Sequence, residues 1–271
     1  MSEEQKSQNQ NVFLEAAHRA ADQAQEILLS YFDNLEWIGE KDQAGLVTEA
    51  DQKSEETIKN ILLSSFPDHD FLGEETGHQT GRKQDGKDLW IVDPLDGTTN
   101  FVHSFPMFCI SIALERNGEL EVALVDAPIL KKRWTAVRGE GAFLNGRKIS
   151  VSSREKLNES LFATGFSSQD KQEISKQVAL VEKVLKTTRG IRRPGAAALD
   201  LCFVAQGVFD GFWEMRLSPW DTAAGALIVQ EAGGLVQSYD SKDYDPRMKS
   251  IVAASPQMMG ELRGLLGLPD L

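Results

Sequence analysis

The chain has 271 residues, 41% of them hydrophobic, enough to bury a substantial core, and no linker forces a split, so residues 1–271 are read as a single domain, with two closely packed halves as the alternative. Its 41 Asp and Glu outnumber 29 Lys and Arg, a formal charge of -12 that disfavours general nucleic-acid binding. No run approaches the roughly 18 apolar residues of a membrane span, the start MSEEQKSQNQNVF lacks a secretory pattern, and two cysteines make no disulfide framework, so a cytoplasmic setting away from membranes is expected.

Val12, Phe13, Ala16, Ala17, Ala20, Ala24, Ile27 and Leu28 recur at helical spacing and predict an amphipathic first helix ending near Phe32. Thr48 and Asp51 precede a second helical pattern through Ile58, Ile61 and Leu62, stopped by Pro67, which sets Asp51 near a helix N-terminus. In DFLGEETG a short apolar run leads to Gly73, Glu74 and Glu75, and a polar loop is expected over 78–87. Leu89, Trp90, Ile91 and Val92 are continuously apolar, as in a strand buried on both faces, and they deliver Asp93 to its end. Pro94 keeps Asp93 extended, Asp96 returns within a turn, and Gly97 leaves the backbone open to a ligand.

MFCISIALERNGELEVALVDAP reads as two strands joined at Asn117-Gly118, and WTAVRGEGAFLNGRKI repeats the device at Asn145-Gly146, which predicts an antiparallel meander. Helices are expected over 171–186 and 196–206, then a strand over 208–214 and a helix over 222–232 closed by Gly233-Gly234. Strands at 235–237 and 251–253 and a last helix over 256–265 complete an α+β chain without regular alternation.

TEAD at 48–51, GEE at 73–75, DPLDGTTN at 93–100 and PWD at 219–221 each place carboxylates at an element boundary. Alone, GEE is a solvated acidic turn and PWD a helix cap; DPLDGTTN differs, because two aspartates leaving a buried strand cost stability unless something binds them. If Glu74, Asp93, Asp96 and Asp221 converge, each pair about 4 Å apart repels by about 4 kcal/mol at an effective dielectric of about 20. Cations relieve this, and oxygen donors point to Mg²⁺, since His18, His69, His78 and His103 show no zinc spacing. Gly97-Thr98-Thr99 opens a turn whose N–H groups can cradle phosphate, and Asp51 with Thr98 is a water-orienting pair, so the chemistry indicated is phosphoryl transfer. Glu214, at the end of the largely apolar run 208–213 and seven residues before Asp221, reads on its own as a strand-end carboxylate facing water, with a substrate contact as the other reading. Arg192 and Arg193 read as a surface pair before a proline turn, with a second phosphate or a dimer neighbour as the alternative. His103 and Cys202 read as packing residues.

LVTEAD, FLGEE, WIVDPLDGTTNFVH, EMRLSPWD with a small-residue helix behind it, and EAGG stand in an order and at separations that resemble the inositol monophosphatase family of lithium-sensitive, Mg²⁺-dependent phosphatases. The resemblance implies a layered α-β-α-β-α sandwich of the inositol monophosphatase and fructose-1,6-bisphosphatase type, assembled as a homodimer. It implies that Glu74, Asp93 and the Leu95 carbonyl hold one Mg²⁺ and that Asp93, Asp96 and Asp221 hold a second, with a third, weaker ion on Glu74 and water. It also implies that Asp51 and Thr98 activate the attacking water, that the Gly97 and Thr98 amides bind phosphate, and that Glu214 and Ala197 contact a hydroxylated ring that Asp96 also touches. The family's loop carries a lysine and an aspartate ahead of LVT; here Lys41 leads into DQAGLVT, and Gly45 stands at the aspartate's place.

The expected activity is hydrolysis of a small polyol or sugar phosphate by metal-activated water, with inositol 1-phosphate as the first substrate. Fructose 1,6-bisphosphate and 3'-phosphoadenosine nucleotides are the rivals, the latter weakened by TTN rather than a TKE-like run after Gly97. The rival from another class is a regulatory protein of this fold that binds the transcription machinery, against which stands the presence of every ligand the family uses.

Overall fold

The computed structural model describes residues 3–35, 37–41, 45–82, 88–166 and 171–269, without the side chains of 3–11, 40, 41, 45 and 171–173. The first half runs α1 (Glu3–Tyr31), β1 (Ile38–Lys41), β2 (Gly45–Thr48), α2 (Glu49–Ser65), β3 (Asp70–Gly73), β4 (Gly77–Gln79), β5 (Asp88–Asp96) and α3 (Thr98–Val102). A meander follows through β6 (Cys109–Arg116), β7 (Glu119–Ala127), β8 (Lys132–Val137), β9 (Gly141–Leu144) and β10 (Arg147–Lys148). The second half runs β11 (Leu161–Thr164), α4 (Lys171–Leu185), β12 (Gly190–Arg192), α5 (Ala197–Ala205), β13 (Gly211–Met215), α6 (Pro219–Glu231), β14 (Leu235–Gln237), β15 (Ser250–Ala254) and α7 (Pro256–Leu266).

Side-chain alternation sorts these elements into five layers. Trp90 and Val92 of β5 share a core with Ala17, Ala20, Ala24 and Leu28 of α1 and Ile58 and Leu62 of α2. Leu89 and Ile91, on the opposite face, share a core with Leu201 of α5, Leu227 of α6, and Phe212 and Ala253 of the second sheet. Trp213 and Val252 then face Met258 and Leu262 of α7 and Val184 of α4. The order is therefore α1/α2, an eight-stranded sheet, α5/α6, a five-stranded sheet, and α4/α7, which is the expected α-β-α-β-α sandwich. Because α5 and α6 have a sheet on either side, every residue of α5 but Phe203 and every residue of α6 from Thr222 to Val229 is buried, and neither helix keeps a polar face there.

The larger sheet has the order β10-β9-β8-β7-β6-β5-β3-β4, so the meander is realised as read, with Asn117 at φ 51° and Gly118 at φ 83° in the first hairpin turn. Three expectations differ from the structure. The loop after Glu75 contains β4, which pairs antiparallel with β3, and residues 83–87 lie outside the described ones. The strand expected over 208–214 begins at Gly211, because Val208 and Phe209 turn back to donate to the Phe203 carbonyl. β5 does not stop at Asp93: its register with β6 shifts from Asp93 opposite Ser111 to Asp96 opposite Cys109, a one-residue bulge across Pro94, which has no N–H to give the ladder.

The second sheet is tied to the first by Arg247, whose two terminal nitrogens donate to Glu115 of β6 at 2.8 and 2.7 Å. Glu115 is 5% exposed, so removing its partner strands a buried carboxylate. Arg247→Met is expected to cost about 2 kcal/mol, read as a lower urea midpoint with the slope unchanged.

Candidate active site

The bulged end of β5, the turn after β3 and the first turns of α3 and α6 meet at a cavity of about 350 Å³. Glu74, Asp93, Asp96 and Asp221 line it together with Leu95 and Thr98. Asp93 and Asp96 are 2% and 8% exposed, so both carboxylates are almost wholly desolvated. The Asp93 Oδ1 accepts the Leu95 N–H at 3.0 Å, an Asx turn that folds the chain over Pro94. The Asp96 Oδ2 accepts the Ala198 N–H at 2.7 Å and faces the Cys109 thiol at 3.8 Å, which anchors it to the first turn of α5. Asp221, in the first turn of α6, accepts the Ser218 N–H at 2.7 Å. Gly97 sits at φ 95°, and a Cβ there would lie 2.9 Å from the Met107 carbonyl oxygen, so no larger residue fits before α3.

Asp51 stands behind this wall. Thr48 caps α2 with its hydroxyl and in return gives Asp51 Oδ2 its N–H at 2.8 Å and its O–H at 2.6 Å. The remaining oxygen, Oδ1, accepts from the Thr98 hydroxyl at 3.1 Å. Thr98 is thus held between a buried carboxylate and the cavity.

The electrostatics are those of crowded acids. Burial first, then Glu74, Asp96 and Asp221, push the Asp93 carboxyl well above its ordinary range. Burial and Asp221 push Asp96 from 3.8 to about 8, against the Ala198 N–H, which favours the charged form. Half-buried Glu214 on β13 rises from 4.5 to about 8 through burial and Asp221, with Arg193 opposing. Asp200 of α5, 1% exposed and with no hydrogen-bond partner for Oδ1, is raised as well, by burial, Glu214 and Asp96. Between about pH 4 and pH 8 the folded chain therefore holds protons at Asp96 and Glu214 that the unfolded chain releases, and stability is lost as pH rises through that window. In a chelator the melting temperature is expected to fall from pH 5 to pH 8, and added Mg²⁺ is expected to restore more of it at pH 8; equal melting temperatures across the range would refute the assignment.

Most of the predicted site residues are thus brought together. Glu74, Asp93, Leu95, Asp96, Gly97, Thr98 and Asp221 line one cavity, with Asp51 one hydrogen bond behind it. Ala197 and Glu214 do not line it; Ala197 is buried in the first turn of α5, and the Glu214 carboxylate rests where a Cβ on Gly165 would be, 2.0 Å away. The side chain of Lys41 and residues 42–44 lie outside the described residues. Arg193 is exposed, as the surface reading has it, and it also lines the cavity, donating to the Phe166 carbonyl at 2.9 Å with its guanidinium 5.4 Å from that ring's centre. Its neighbour Arg192 stays exposed, bonded to the Ile191 carbonyl. Asn100, which donates to the Met107 and Pro194 carbonyls at 2.6 and 2.9 Å, and Gly195 complete the same wall. Asn100 closes the DPLDGTTN segment and Arg193 carries the phosphate alternative given above, whereas nothing local in the sequence marks Gly195 or Asp200. A larger cavity of about 460 Å³, between His18, Asp126 and Arg133, holds none of the predicted residues.

Among the described residues no three His, Cys, Asp or Glu side chains close into a ready-made cage. The donors that line the cavity are the carboxylates of Glu74, Asp93, Asp96 and Asp221, and these oxygens fit Mg²⁺, which takes one or two carboxylates plus waters and substrate phosphate, better than zinc, which favours imidazole and thiolate. Among the described residues no helix is long and apolar enough to cross a membrane.

Comparison with known proteins agrees with this geometry. The profile of the inositol monophosphatase family matches residues 9–266. A Pseudomonas aeruginosa protein called Nus factor SuhB is 46% identical over 230 residues, 83% of this chain and 85% of that protein. An inositol-1-monophosphatase of Rhizobium meliloti is 42% identical over 229 residues, 84% of this chain and 85% of that one. The crystal structure of the extragenic suppressor protein suhB from Bartonella henselae superposes with a TM-score of 0.88 at 39% identity, covering 93% of this chain and 97% of that one.

Proposed function

The chain belongs to the inositol monophosphatase family, and from that premise we propose that it is a Mg²⁺-dependent phosphomonoesterase acting on a small polyol or sugar phosphate, inositol 1-phosphate first. The observation that carries this is the Thr98–Asp51 hydrogen bond set into the wall of a carboxylate-lined cavity. Glu74, Asp93 and the Leu95 carbonyl would hold one ion, Asp93, Asp96 and Asp221 a second, and Glu74 with water a weaker third. Bound there, the cations would offset the charge that builds on the attacking and leaving oxygens.

The chain's own residues then have defined tasks. A water that donates to Thr98 Oγ1 hands it a proton while Thr98 passes its own to Asp51 Oδ1; Oδ2 is occupied by Thr48, so the relay has one direction. The N–H groups of the N-cap Gly97 and of Thr98, the first residue of α3, have no acceptor within the helix and are assigned to the phosphate oxygens. Glu214 and Ala197 are assigned to the alcohol's hydroxyls. No covalent phosphoenzyme is needed. A homodimer and sensitivity to lithium belong to the same reading, as does a cytoplasmic setting, supported by the two buried, unpaired thiols Cys109 and Cys202.

A second reading rests on the P. aeruginosa relative's name, Nus factor SuhB: a regulatory partner of the transcription machinery, with or without turnover. Phosphate release from inositol 1-phosphate, fructose 1,6-bisphosphate and 3'-phosphoadenosine 5'-phosphate, each with Mg²⁺ and with a chelator, separates the two. Chelator-sensitive release from inositol 1-phosphate above the others is expected; no release from any of them would leave the regulatory reading standing alone.

A further inference from the structure

Glu55 lies on α2 one helical turn beyond Asp51 and is completely buried, yet no step above uses it. Its Oε2 accepts the Glu75 N–H at 2.8 Å and its Oε1 the Thr76 N–H at 2.8 Å. A Cβ on Gly73 would lie 2.5 Å from the Glu55 carboxyl carbon, so the group is wedged under the turn with no slack. Both hydrogen bonds fall on the two residues that follow Glu74, Gly73 before it lies against the same carboxyl, and the N–H of Glu74 itself reaches the Val92 carbonyl, next to Asp93, at 3.3 Å. Glu55 thus ties down the backbone directly after the one residue of that turn whose side chain lines the cavity. A buried carboxylate answered by two backbone N–H groups is a strong, directional clamp, because releasing either bond leaves charge desolvated.

We propose that Glu55 is a positioning residue that holds the Glu74 carboxylate at the cation site, and that α2, by carrying Asp51 and Glu55 on successive turns, fixes the spacing between the water-activating pair and the Glu74 ligand. The inference rests on the metal-dependent reading above. Outer partners that orient a metal ligand typically change metal affinity tenfold to a hundredfold when altered. Glu55→Gln keeps the volume and one acceptor but turns an amide NH₂ toward a backbone N–H.

The test is Mn²⁺ binding to the full-length protein by calorimetry and electron paramagnetic resonance, with amide hydrogen exchange at Glu75 and Thr76 as a second readout. Glu55→Gln is expected to weaken Mn²⁺ binding about tenfold to a hundredfold and to speed exchange at those two amides. In a Glu74→Gln background the same change is expected to add almost nothing, because the ligand it positions is already lost. Wild-type affinity in Glu55→Gln, or losses that multiply in the double variant, would overturn the proposal, since a merely structural role weakens both backgrounds alike. If Glu55→Gln does not fold, Glu55→Asp, which withdraws the charge by one methylene, is read by the same criteria. A wild-type protein that binds no Mn²⁺ sinks the metal reading and this inference with it, whereas normal wild-type binding and normal Glu55→Gln binding sink the inference alone.

Discussion

Asp93→Asn is expected to cut phosphate release by at least two to three orders of magnitude, roughly the loss seen when a charge-stabilising group is removed, while the melting temperature of the metal-free protein stays level or rises. The two effects have one cause. Asp93 is 2% exposed, and its carboxyl is pushed up by burial and by Glu74, Asp96 and Asp221 together, so the charge is a burden on the fold when no cation is present. Asparagine keeps the shape and can keep the Oδ1 acceptor for the Leu95 N–H at 3.0 Å, but it removes the anion assigned to both ion sites. Turnover at saturating Mg²⁺ and a thermal scan in chelator check the pair of outcomes. Near-normal turnover would overturn the metal assignment, and a marked fall in melting temperature would mean that Asp93 is a structural residue.

Thr98→Ala addresses the proton relay without touching the carboxylates. Its hydroxyl bonds Asp51 Oδ1 and the Leu95 carbonyl, each at 3.1 Å. Removing it should lower kcat by about 10²- to 10⁴-fold, with stability changed by no more than about 1 kcal/mol. Mg²⁺ dependence should be unchanged, and Thr98→Ser should recover most of the rate. Steady-state kinetics with a Mg²⁺ titration separates this from a metal defect: a loss that higher Mg²⁺ repairs would assign Thr98 to the cation site instead of the relay.

How much of this was legible in the sequence depends on how local the signal is. The carboxylates of DPLDGTTN stand out because an apolar strand runs directly into them, and Asp51 because Thr48 caps the helix that follows. The short strands β2, β11 and β12, of four, four and three residues, escape notice because they are too brief to show a period. The bulge at Pro94 reads in sequence as a strand end, since a proline that cannot donate looks the same whether the ladder stops or slips by one. Arg193 shows in the sequence only as a surface pair with a phosphate alternative, and Asp200 leaves no local signal. Arg193 shares the cavity wall with Asn100, and the Asp200 carboxyl feels the charges of Asp96 and Glu214, relations that join distant stretches of chain and leave no local pattern.

The contact between α5 and α6 has a bearing on how this protein can change over evolutionary time. A Cβ on Gly225 would fall 2.6 Å from the Cβ of Leu201, so the helices touch through a missing side chain. Gly225 lies one turn beyond Asp221 and Leu201 one turn beyond Ala197, so that contact works as a fulcrum just beneath the two helix ends that reach Asp96 and the cavity. With sheets on both sides the helices have nowhere to retreat. A single methyl group at position 225 would therefore have to move one of the two helix ends that carry Asp221 and the Ala198 N–H, so this position should tolerate substitution far less than its distance from the cavity suggests.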